Sequence, residues 1–355
     1  MHRVCCDHVA RQPGVGVMVG SLPTAILDRY GAAVEAELHR WLDRREPVGH
    51  HYDLMAYHMG WVDQNFELSD EVGGKRFRPL LCLLSCEAVG GDRDKALPIA
   101  AAIELLHNFS LIHDDIEDRD ESRRHRPALW ARFGEPLAIN AGDAMLALAG
   151  LAALSAGDVP EICRGFQETA LALTEGQYLD MCFEREVTVS LEEYRRMIGL
   201  KTSALITFSC RSGALIGGGD QEQVDALETF GRHFGLAFQI YDDILGIWAA
   251  SGETGKIQAK DIVNRKKSLP VVLGLERSRG AERDLLISFY SRHSETEPEE
   301  IVRILDGLNI RADIDARLES HLRQALRALQ QTQLYEPFRS ELEALARALL
   351  GAGPA

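Results

Sequence analysis

Acidic residues crowd the segment LIHDDIEDRDE, residues 111–121, and carboxylates at this density can hold a divalent cation. Asp114 and Asp118 are four residues apart, so they share one face if the segment is helical. Like charges at this spacing repel each other unless a cation neutralises them. Hard cations such as Mg²⁺ take oxygen ligands and often bridge carboxylates to substrate phosphates. The pattern therefore indicates a magnesium site, with a solvated acidic helix end as the alternative.

A second acidic pair, Asp242 and Asp243, interrupts the otherwise apolar segment FGLAFQIYDDILGIW. Gln239 precedes Asp242 by three residues and lies on the same helix face. Adjacent carboxylates are expensive to bury in an apolar helix unless cations or hydrogen bonds compensate them. The pair favours a second set of metal ligands, with a hydrogen-bonded polar network in the core as the alternative.

Basic residues cluster beside glycines and at helix ends, and they are interleaved with the two acidic pairs. Arg binds phosphate through paired hydrogen bonds and Lys binds it as a point charge. One basic pair alone is usually a solvated face, but this alternation predicts a site that needs both metal ions and phosphates. The clusters are GGKRFRP at residues 73–79, Arg123-Arg124, Lys201-Thr202, Lys256 and Lys266-Lys267.

The composition is that of a soluble, helix-rich protein. The 355 residues carry a net charge of −15, which argues against a nucleic-acid partner because a phosphate backbone recruits excess Lys and Arg. Aromatic residues make up only 7%, which disfavours a strand-rich fold. The seven cysteines form no CxxC pair, so we expect neither a zinc ribbon nor a disulfide framework, and a reducing cytoplasm is the simplest setting.

The elements that must position these residues are helices. Apolar residues recur at helical spacing over Ile26–Leu38, Ala96–Ile112 and Val224–Trp248, and glycine-rich breaks separate the helices. The apolar stretch Ala144–Gly157 is too short and too rich in Ala to span a bilayer, so we expect a buried helix and no integral membrane segment. We expect residues 1–20 to be a flexible N-terminal extension and residues 21–355 to form a single all-α domain.

These motifs, in this order and spacing, resemble those of the trans-isoprenyl diphosphate synthase (polyprenyl synthetase) family. The resemblance rests on GGKRFRP, LIHDDIED with the following RR, KT, FQIYDDILG and RKKSLP, and it runs from about Gly73 to Pro270. It implies an all-α bundle around a deep central cavity and a homodimer. It also implies a Mg²⁺-dependent prenyltransferase that joins an allylic diphosphate to isopentenyl diphosphate, with three ions when substrate is bound.

The resemblance assigns roles to individual positions. Metal ligands would be Asp114, Asp118 and Asp242, within a catalytic set of Asp114, Asp115, Asp118, Asp242, Asp243 and Lys201. Isopentenyl diphosphate would be held by Lys75, Arg78, His107 and Arg124. The allylic diphosphate would face Arg123, Lys201, Lys256 and Lys266, with Thr202 and Gln239 steadying the diphosphate or the developing cation.

Product length depends in this family on the residues just before the first acidic motif. Here these are Phe109 and Ser110. An aromatic residue at the position of Phe109 resembles the pattern of geranylgeranyl (C20) synthases of the archaeal type. A plain core aromatic is the alternative, because Phe109 lies about 140° around a helix from Asp114.

The second motif departs from the family pattern, since Gly246 stands where a third acid is usual. We expect metal binding to survive this change.

Three alternatives remain open at this stage. The product could be farnesyl or a longer polyprenyl diphosphate. A terpene cyclase on the same scaffold would also keep acidic metal motifs, but it has no use for the isopentenyl diphosphate residues present here. A non-catalytic subunit of a partner synthase would be expected to lose one acidic pair, and neither pair is lost.

Overall fold

The computed structural model describes residues 23–43, 48–69, 74–157, 159–249, 259–291 and 296–351. The extension predicted for residues 1–20 and the predicted phosphate-binding Lys256 lie outside these residues. Within them the chain is helical almost throughout, and the only ladder is an antiparallel pair of two-residue strands. The prediction of an all-α fold is confirmed.

Sixteen α-helices and one π-helical turn can be assigned in the described residues. The first part of the chain contains α1 Thr24–Leu42, α2 His51–Met59, α3 Phe77–Ala88, α4 Arg93–Glu117, β1 Ser122–Arg123, β2 Arg126–Pro127, α5 Leu129–Phe133, α6 Glu135–Leu154 and α7 Pro160–Phe183. The middle contains α8 Leu191–Ile198, the π turn Gly199–Ser203, α9 Ala204–Ile216 and α10 Gln221–Trp248. The last part contains α11 Lys260–Val263, α12 Leu269–Arg277, α13 Gly280–Tyr290, α14 Pro298–Gly307, α15 Ile310–Gln330 and α16 Phe338–Leu349.

The two acidic motifs are carried by the two longest helices, α4 and α10. Both helices begin at an aspartate that caps the first turn: the side chain of Asp92 accepts from Asp94 N at 3.0 Å, and Asp220 forms a reciprocal capping box with Gln223. Each cap satisfies backbone donors that the helix itself leaves unpaired. The motifs lie at the opposite ends of these helices, close to their C-termini.

Helix α10 contributes to both hydrophobic clusters of the molecule. Its first half places Phe230 and Phe234 in the larger cluster, with α1, α3, α4, α6 and α9. Its second half places Ile240 and Ile244 in a smaller cluster with α8 and α12 to α15. The predicted apolar faces of α1 and α10 are confirmed at most positions, while Ala33 and Tyr241 on the same faces are half-buried. The buried positions are Ile26, Tyr30, Val34, Leu38, Leu227, Phe230, Phe234 and Ala237.

Helix α6 differs from its prediction in length and in burial. It starts nine residues before the apolar stretch from which it was predicted, because Gly134 ends α5 and Pro136 opens the next helix. Two described helices, α4 and α6, are long and apolar enough to cross a membrane by length and composition; 67% of the α4 window is buried, but only 44% of the α6 window. The uncovered face of α6 exposes leucines, of which Leu154 is 65% accessible.

A pair of histidines joins α10 to α15, and it makes stability depend on pH. Their Nδ1 atoms lie 3.1 Å apart, so one ring must accept the proton that the other carries. Burial lowers the pKa of His233 and lowers that of His321 to about 4, and the neighbouring ring further lowers the pKa of His321. The neutral pair is therefore the form that folding favours.

We expect the free energy of unfolding to fall as the pH drops from about 6.5 towards 4, because the unfolded chain binds protons there that the native pair resists. The loss due to this pair should be about 1 kcal/mol, since solvent screens these half-buried rings. Urea unfolding at several pH values measures it. His321→Gln should flatten the pH dependence relative to the wild type; an identical slope would contradict the assignment.

Candidate active site

Two adjoining hollows open between α4, α7 and α10. One has a volume of about 680 Å³ and the other about 250 Å³, and Asp114 and Asp242 line both. The structure thus brings the two acidic motifs to the same space, although they are far apart in sequence. A separate groove of about 800 Å³ on the other side of the π turn contains none of the residues predicted from the sequence.

The first acidic motif divides into residues that face the hollows and one that does not. Burial raises the pKa of Asp114 to about 7; Lys201 opposes this rise and Asp118 adds to it. Asp118 also lines the smaller hollow, where its carboxylate accepts from Lys266 Nζ at 2.9 Å. Asp115 lines neither hollow: it is 1% accessible and forms an ion pair with Arg123. Asp115 is therefore placed to orient Arg123.

The second motif divides in the same way, although its two acids are adjacent. Asp243 is buried and accepts three hydrogen bonds, from Tyr194 Oη at 2.7 Å, Leu269 N at 2.7 Å and Gln239 Nε2 at 2.9 Å. Asp242 is exposed to the hollows, and no described residue donates a hydrogen bond to it. Both hypotheses offered for the pair thus apply: Asp243 anchors a core polar network, and Asp242 remains available to a ligand.

Lys201 and Thr202 reach the cavity from the π turn, a distortion that is frequent at functional sites. Lys201 Nζ donates to Gln177 Oε1 and Asp180 Oδ2, each at 2.5 Å, and Thr202 Oγ1 donates to Gln239 Oε1. The close approach of α7 depends on Gly176, because a Cβ there would lie 2.6 Å from Lys201 Cα.

The larger hollow has a cationic side formed by Lys75, Arg78 and Arg124, with His107 beside them. Arg78 Nη1 donates to His107 Nε2 at 3.0 Å, and burial together with this arginine lowers the pKa of His107 well below its usual value, so the imidazole is neutral. Burial also lowers the pKa of Lys75, and lowers those of Arg78 and Arg124 to about 10. Cations held in this state favour an anionic ligand.

A buried network behind this cationic side holds Arg124 in place. Arg76, which is 8% accessible, donates to Glu35 at 2.9 Å and to Glu104 at 3.0 Å. Glu104 Oε1 also accepts from Asn108 Nδ2 at 2.9 Å, and Asn108 Oδ1 accepts from Arg124 Nη2 at 3.4 Å. The chain of contacts links the GGKRFRP segment to the arginine that follows the first acidic motif.

The rest of the larger hollow has an apolar wall. It is lined by Phe77, Leu111, Leu173, Leu205 and Phe238. Ser110 lies on this wall, whereas Phe109 does not line the hollow: it is 6% accessible and its ring packs 4.8 Å from that of His113. Of the two residues predicted to set product length, only Ser110 is in direct contact with the space.

Several polar residues at the site were not identified from the sequence, among them Gln177, Asp180, Lys260 and Asp261. Gln177 and Asp180 belong to α7, where they interrupt an apolar face at helical spacing from Leu173, a pattern that could have revealed them. Lys260 lies at the start of α11 and pairs with Asp120 at 3.1 Å. Asp261 lines the smaller hollow; burial raises its pKa to about 7, and Asp243 and Asp242 contribute.

The donor set facing the hollows fits magnesium bound together with a diphosphate. Asp114 and Asp242 present carboxylate oxygens with no hydrogen-bond donor among the described residues, and Mg²⁺ prefers such ligands. No three His, Cys, Asp or Glu side chains in the described ranges are close enough to hold a metal ion by themselves. Mg²⁺ typically takes one or two carboxylates and completes its shell with substrate phosphates and water.

Comparison with known proteins agrees with this geometry. The family model described as polyprenyl synthetase matches residues 59–307. The chain belongs to the polyprenyl synthetase family. It is 42% identical over 251 residues to a (2E,6E)-farnesyl diphosphate synthase of Mycobacterium tuberculosis, covering 70% of this chain and 69% of that one.

Two further comparisons cover more of the chain. A geranylgeranyl diphosphate synthase of Mycobacterium tuberculosis is 38% identical over 275 residues, which are 76% of this chain and 78% of that one. The crystal structure of a polyprenyl synthetase from Streptomyces coelicolor superposes with a TM-score of 0.83 at 36% identity, covering 92% of this chain and 99% of that one. This family member is therefore a prenyltransferase with the all-α fold of the polyprenyl synthases.

The contrast between the two adjacent acids gives a test of stability. We expect Asp243→Ala to lower the free energy of unfolding by about 3 kcal/mol, because it leaves two buried donors and one half-buried donor without an acceptor. Asp242→Ala should be neutral or stabilising, since it removes one charge from a crowded acidic cluster. Urea denaturation measures both changes, and a larger loss for Asp242→Ala than for Asp243→Ala would contradict these positions.

Proposed function

We propose that the protein is a short-chain trans-isoprenyl diphosphate synthase, which condenses an allylic diphosphate head-to-tail with isopentenyl diphosphate in the presence of Mg²⁺. The observation that carries the proposal is the meeting of Asp114 and Asp242 at one cavity whose other side is cationic. That combination suits two diphosphates, one bound with metal ions and one bound by basic side chains alone.

Isopentenyl diphosphate is assigned to the cationic side. Lys75, Arg78 and Arg124 would hold its phosphates, with neutral His107 accepting from Arg78 and fixing that guanidinium. A ligand with several negative charges restores the stabilisation that these cations lose through burial. The network from Arg76 to Arg124 would keep the arginine in position before the substrate arrives.

The allylic diphosphate is assigned to the acidic side. Asp114, Asp118 and Asp242 would hold Mg²⁺, and the bound ions would neutralise charge on the departing diphosphate. Lys201 and Lys266 would contact the same phosphates, and their present ion pairs with Asp180 and Asp118 keep them at the cavity. We propose that Arg123 and Lys256 contact the phosphates of the allylic diphosphate as well.

The proposed reaction depends on the basic residues at the leaving group and on the apolar wall of the cavity. Breaking the C–O bond leaves an allylic cation and pyrophosphate, and Lys201, Lys266 and Arg123 stabilise the charge that develops on the leaving group. The double bond of isopentenyl diphosphate attacks the cation, and pyrophosphate accepts the proton that is lost. The apolar wall at Leu111 and Phe238 excludes water that would otherwise trap the cation as an alcohol.

The proposed product is geranylgeranyl diphosphate (C20). Relatives of similar identity are named as farnesyl and as geranylgeranyl diphosphate synthases, so farnesyl and longer products are the alternatives. The small side chain of Ser110 lines the wall next to the first acidic motif, and the ring of the preceding residue, Phe109, is buried against His113. A chain is proposed to extend past Ser110 until it meets that ring. The presence of all four isopentenyl diphosphate residues favours condensation over terpene cyclisation.

We further propose that the protein is a homodimer, built from residues 21–355 as a single domain and located in the cytoplasm. Large apolar side chains are exposed along α6 and α7, and a second copy would cover them: Leu137, Ile139, Leu151, Leu154, Leu171 and Tyr178. Because α10 lies in both hydrophobic clusters, it supports a single domain. The five described cysteines are all free, which suits a reducing compartment.

Removing either carboxylate that faces the cavity should abolish condensation. We expect Asp114→Ala and Asp242→Ala each to lower Mg²⁺-dependent turnover by about a thousandfold without unfolding the protein, because the leaving group loses its metal ligands. Incorporation of radiolabelled isopentenyl diphosphate measures turnover. Asp225→Ala, which removes an exposed acid elsewhere on α10, is the control and should retain full activity. Near-normal turnover in either cavity variant would refute the metal assignment.

Product length should respond in opposite directions to changes at Phe109 and at Ser110. We expect Phe109→Ala to lengthen the products, because it removes a buried ring from the residue next to Ser110. We expect Ser110→Phe to shorten them, because it places a ring in the wall of the hollow. Chromatography of the dephosphorylated products shows both effects. An unchanged profile for Phe109→Ala would remove that residue from the proposed role.

A further inference from the structure

A groove of about 800 Å³ lies outside the candidate active site, between α7, α8, α9 and α10. The π turn separates the two spaces: Gly199 and Ser203 line the groove, whereas Lys201 and Thr202 line the larger hollow. A groove of this size is typical of sites that bind small molecules. It is therefore large enough for a ligand of its own, apart from the substrates in the active site.

The charges of the groove are distributed unevenly along its length. A Cβ at Gly165 of α7 would lie 3.1 Å from the ring of Phe208, whereas one at Gly176 would lie 2.6 Å from Lys201 Cα. Helix α7 is therefore antiparallel to the π turn and α9, and its acids at 161 and 168 lie at the far end and in the middle of the groove. The charged residues that line the groove are Arg164, Arg195, Arg211, Arg232, Glu161, Glu168 and Glu228.

The end of the groove beside the π turn, here called the π-turn end, carries two arginines. Arg195 belongs to the last turn of α8, which leads into the π turn, and the carbonyl of Arg232 accepts from Ser203 Oγ at 2.9 Å. Both arginine side chains are exposed, and neither has a hydrogen-bond or ion-pair partner among the residues that the structure describes. At the far end, by contrast, Arg211 pairs with Glu228 at 3.1 Å.

The positive charge at the π-turn end also acts on the histidine pair that joins α10 to α15. Burial lowers the pKa of His321 to about 4, and His233, Arg195 and Arg317 lower it further. Burial also lowers the pKa of His233, and Arg232 adds to this effect. The pair therefore lies close enough to both arginines to sense a change in the charge around them.

The groove combines these arginines with an apolar floor. Arginine binds phosphate through paired hydrogen bonds, so two arginines from different helices suit a ligand that carries two phosphates. An apolar chain attached to such a ligand would have side chains to pack against, because the floor is formed by Ala172, Ala204, Phe208 and Leu236.

We propose that this groove is a second binding site for a diphosphate, held by Arg195 and Arg232 at the π-turn end. The choice of ligand rests on the proposed function, because a prenyl diphosphate synthase releases both pyrophosphate and a prenyl diphosphate. The two molecules share the group that the arginines recognise. Only the prenyl diphosphate also has a chain that packs on the apolar floor.

The test uses His321 as a local reporter, because it lies beside Arg195 and lines neither hollow of the active site. The full-length protein, labelled with ¹³C-histidine and kept in EDTA, is titrated with pyrophosphate or with unreactive farnesyl thiodiphosphate. Nuclear magnetic resonance follows the imidazole signal that is missing in His321→Gln.

We expect a saturable shift of this signal in the wild type. Arg195→Gln and Arg232→Gln should each bind about tenfold more weakly, because each loses charge-assisted hydrogen bonds to the ligand. Arg196→Gln, which changes an exposed arginine of α8 outside the groove, is the matched control and should bind as the wild type does.

The two ligands distinguish the sources of the diphosphate. Tighter binding of farnesyl thiodiphosphate supports the site and assigns it to a prenyl diphosphate, whereas equal binding supports it and assigns it to pyrophosphate. The inference is overturned if neither ligand gives a saturable shift, if both arginine variants bind as the wild type does, or if sulfate binds as well as pyrophosphate. The titration needs neither metal nor turnover, so a wild type that fails to condense its substrates would overturn the proposed function alone.

Discussion

Repulsion between like charges at the cavity is the constraint on which the other features depend. The fold places carboxylates and cations in a space where burial is unfavourable for both, and it neutralises only some of them. Asp118 has Lys266 and Asp180 has Lys201, whereas Asp114 and Asp242 have no such partner among the described residues. The groups left uncompensated are those that a metal–diphosphate complex would neutralise, so the site is complete only with its ligand.

The rest of the bundle holds these groups close together although they repel. Each motif uses one acid as an anchor and presents the other: Asp115 is fixed by Arg123 and Asp243 by three donors from different elements. The glycine at 176 brings α7 against the π turn, so that Lys201 reaches over the carboxylates. Buried pairing makes the anchors rigid, and rigidity is what keeps the presented acids from moving away from each other.

Much of this arrangement could be predicted from the sequence, and the part that could not has a physical reason. Helical periodicity located α1, α4 and α10, and the order of acidic and basic motifs predicted a shared site. The different roles of Asp242 and Asp243 could not be predicted, because they depend on Tyr194 and Leu269, which are distant in sequence. Asp261 was missed because nothing local relates α11 to Gly246; only packing brings them together.

The geometry of α4 links the two halves of the proposed chemistry. His107 lies on the cationic side and Asp114 on the acidic side, and two helical turns separate them. Seven residues of α-helix span about 10 Å, a distance that does not change as side chains move. One rigid helix therefore sets the spacing between the two proposed diphosphate sites, and hence the approach that the double bond would make to the allylic carbon. Since misplacement by 1 Å can slow a reaction about a hundredfold, burying α4 in the largest cluster of the bundle serves catalysis as well as stability.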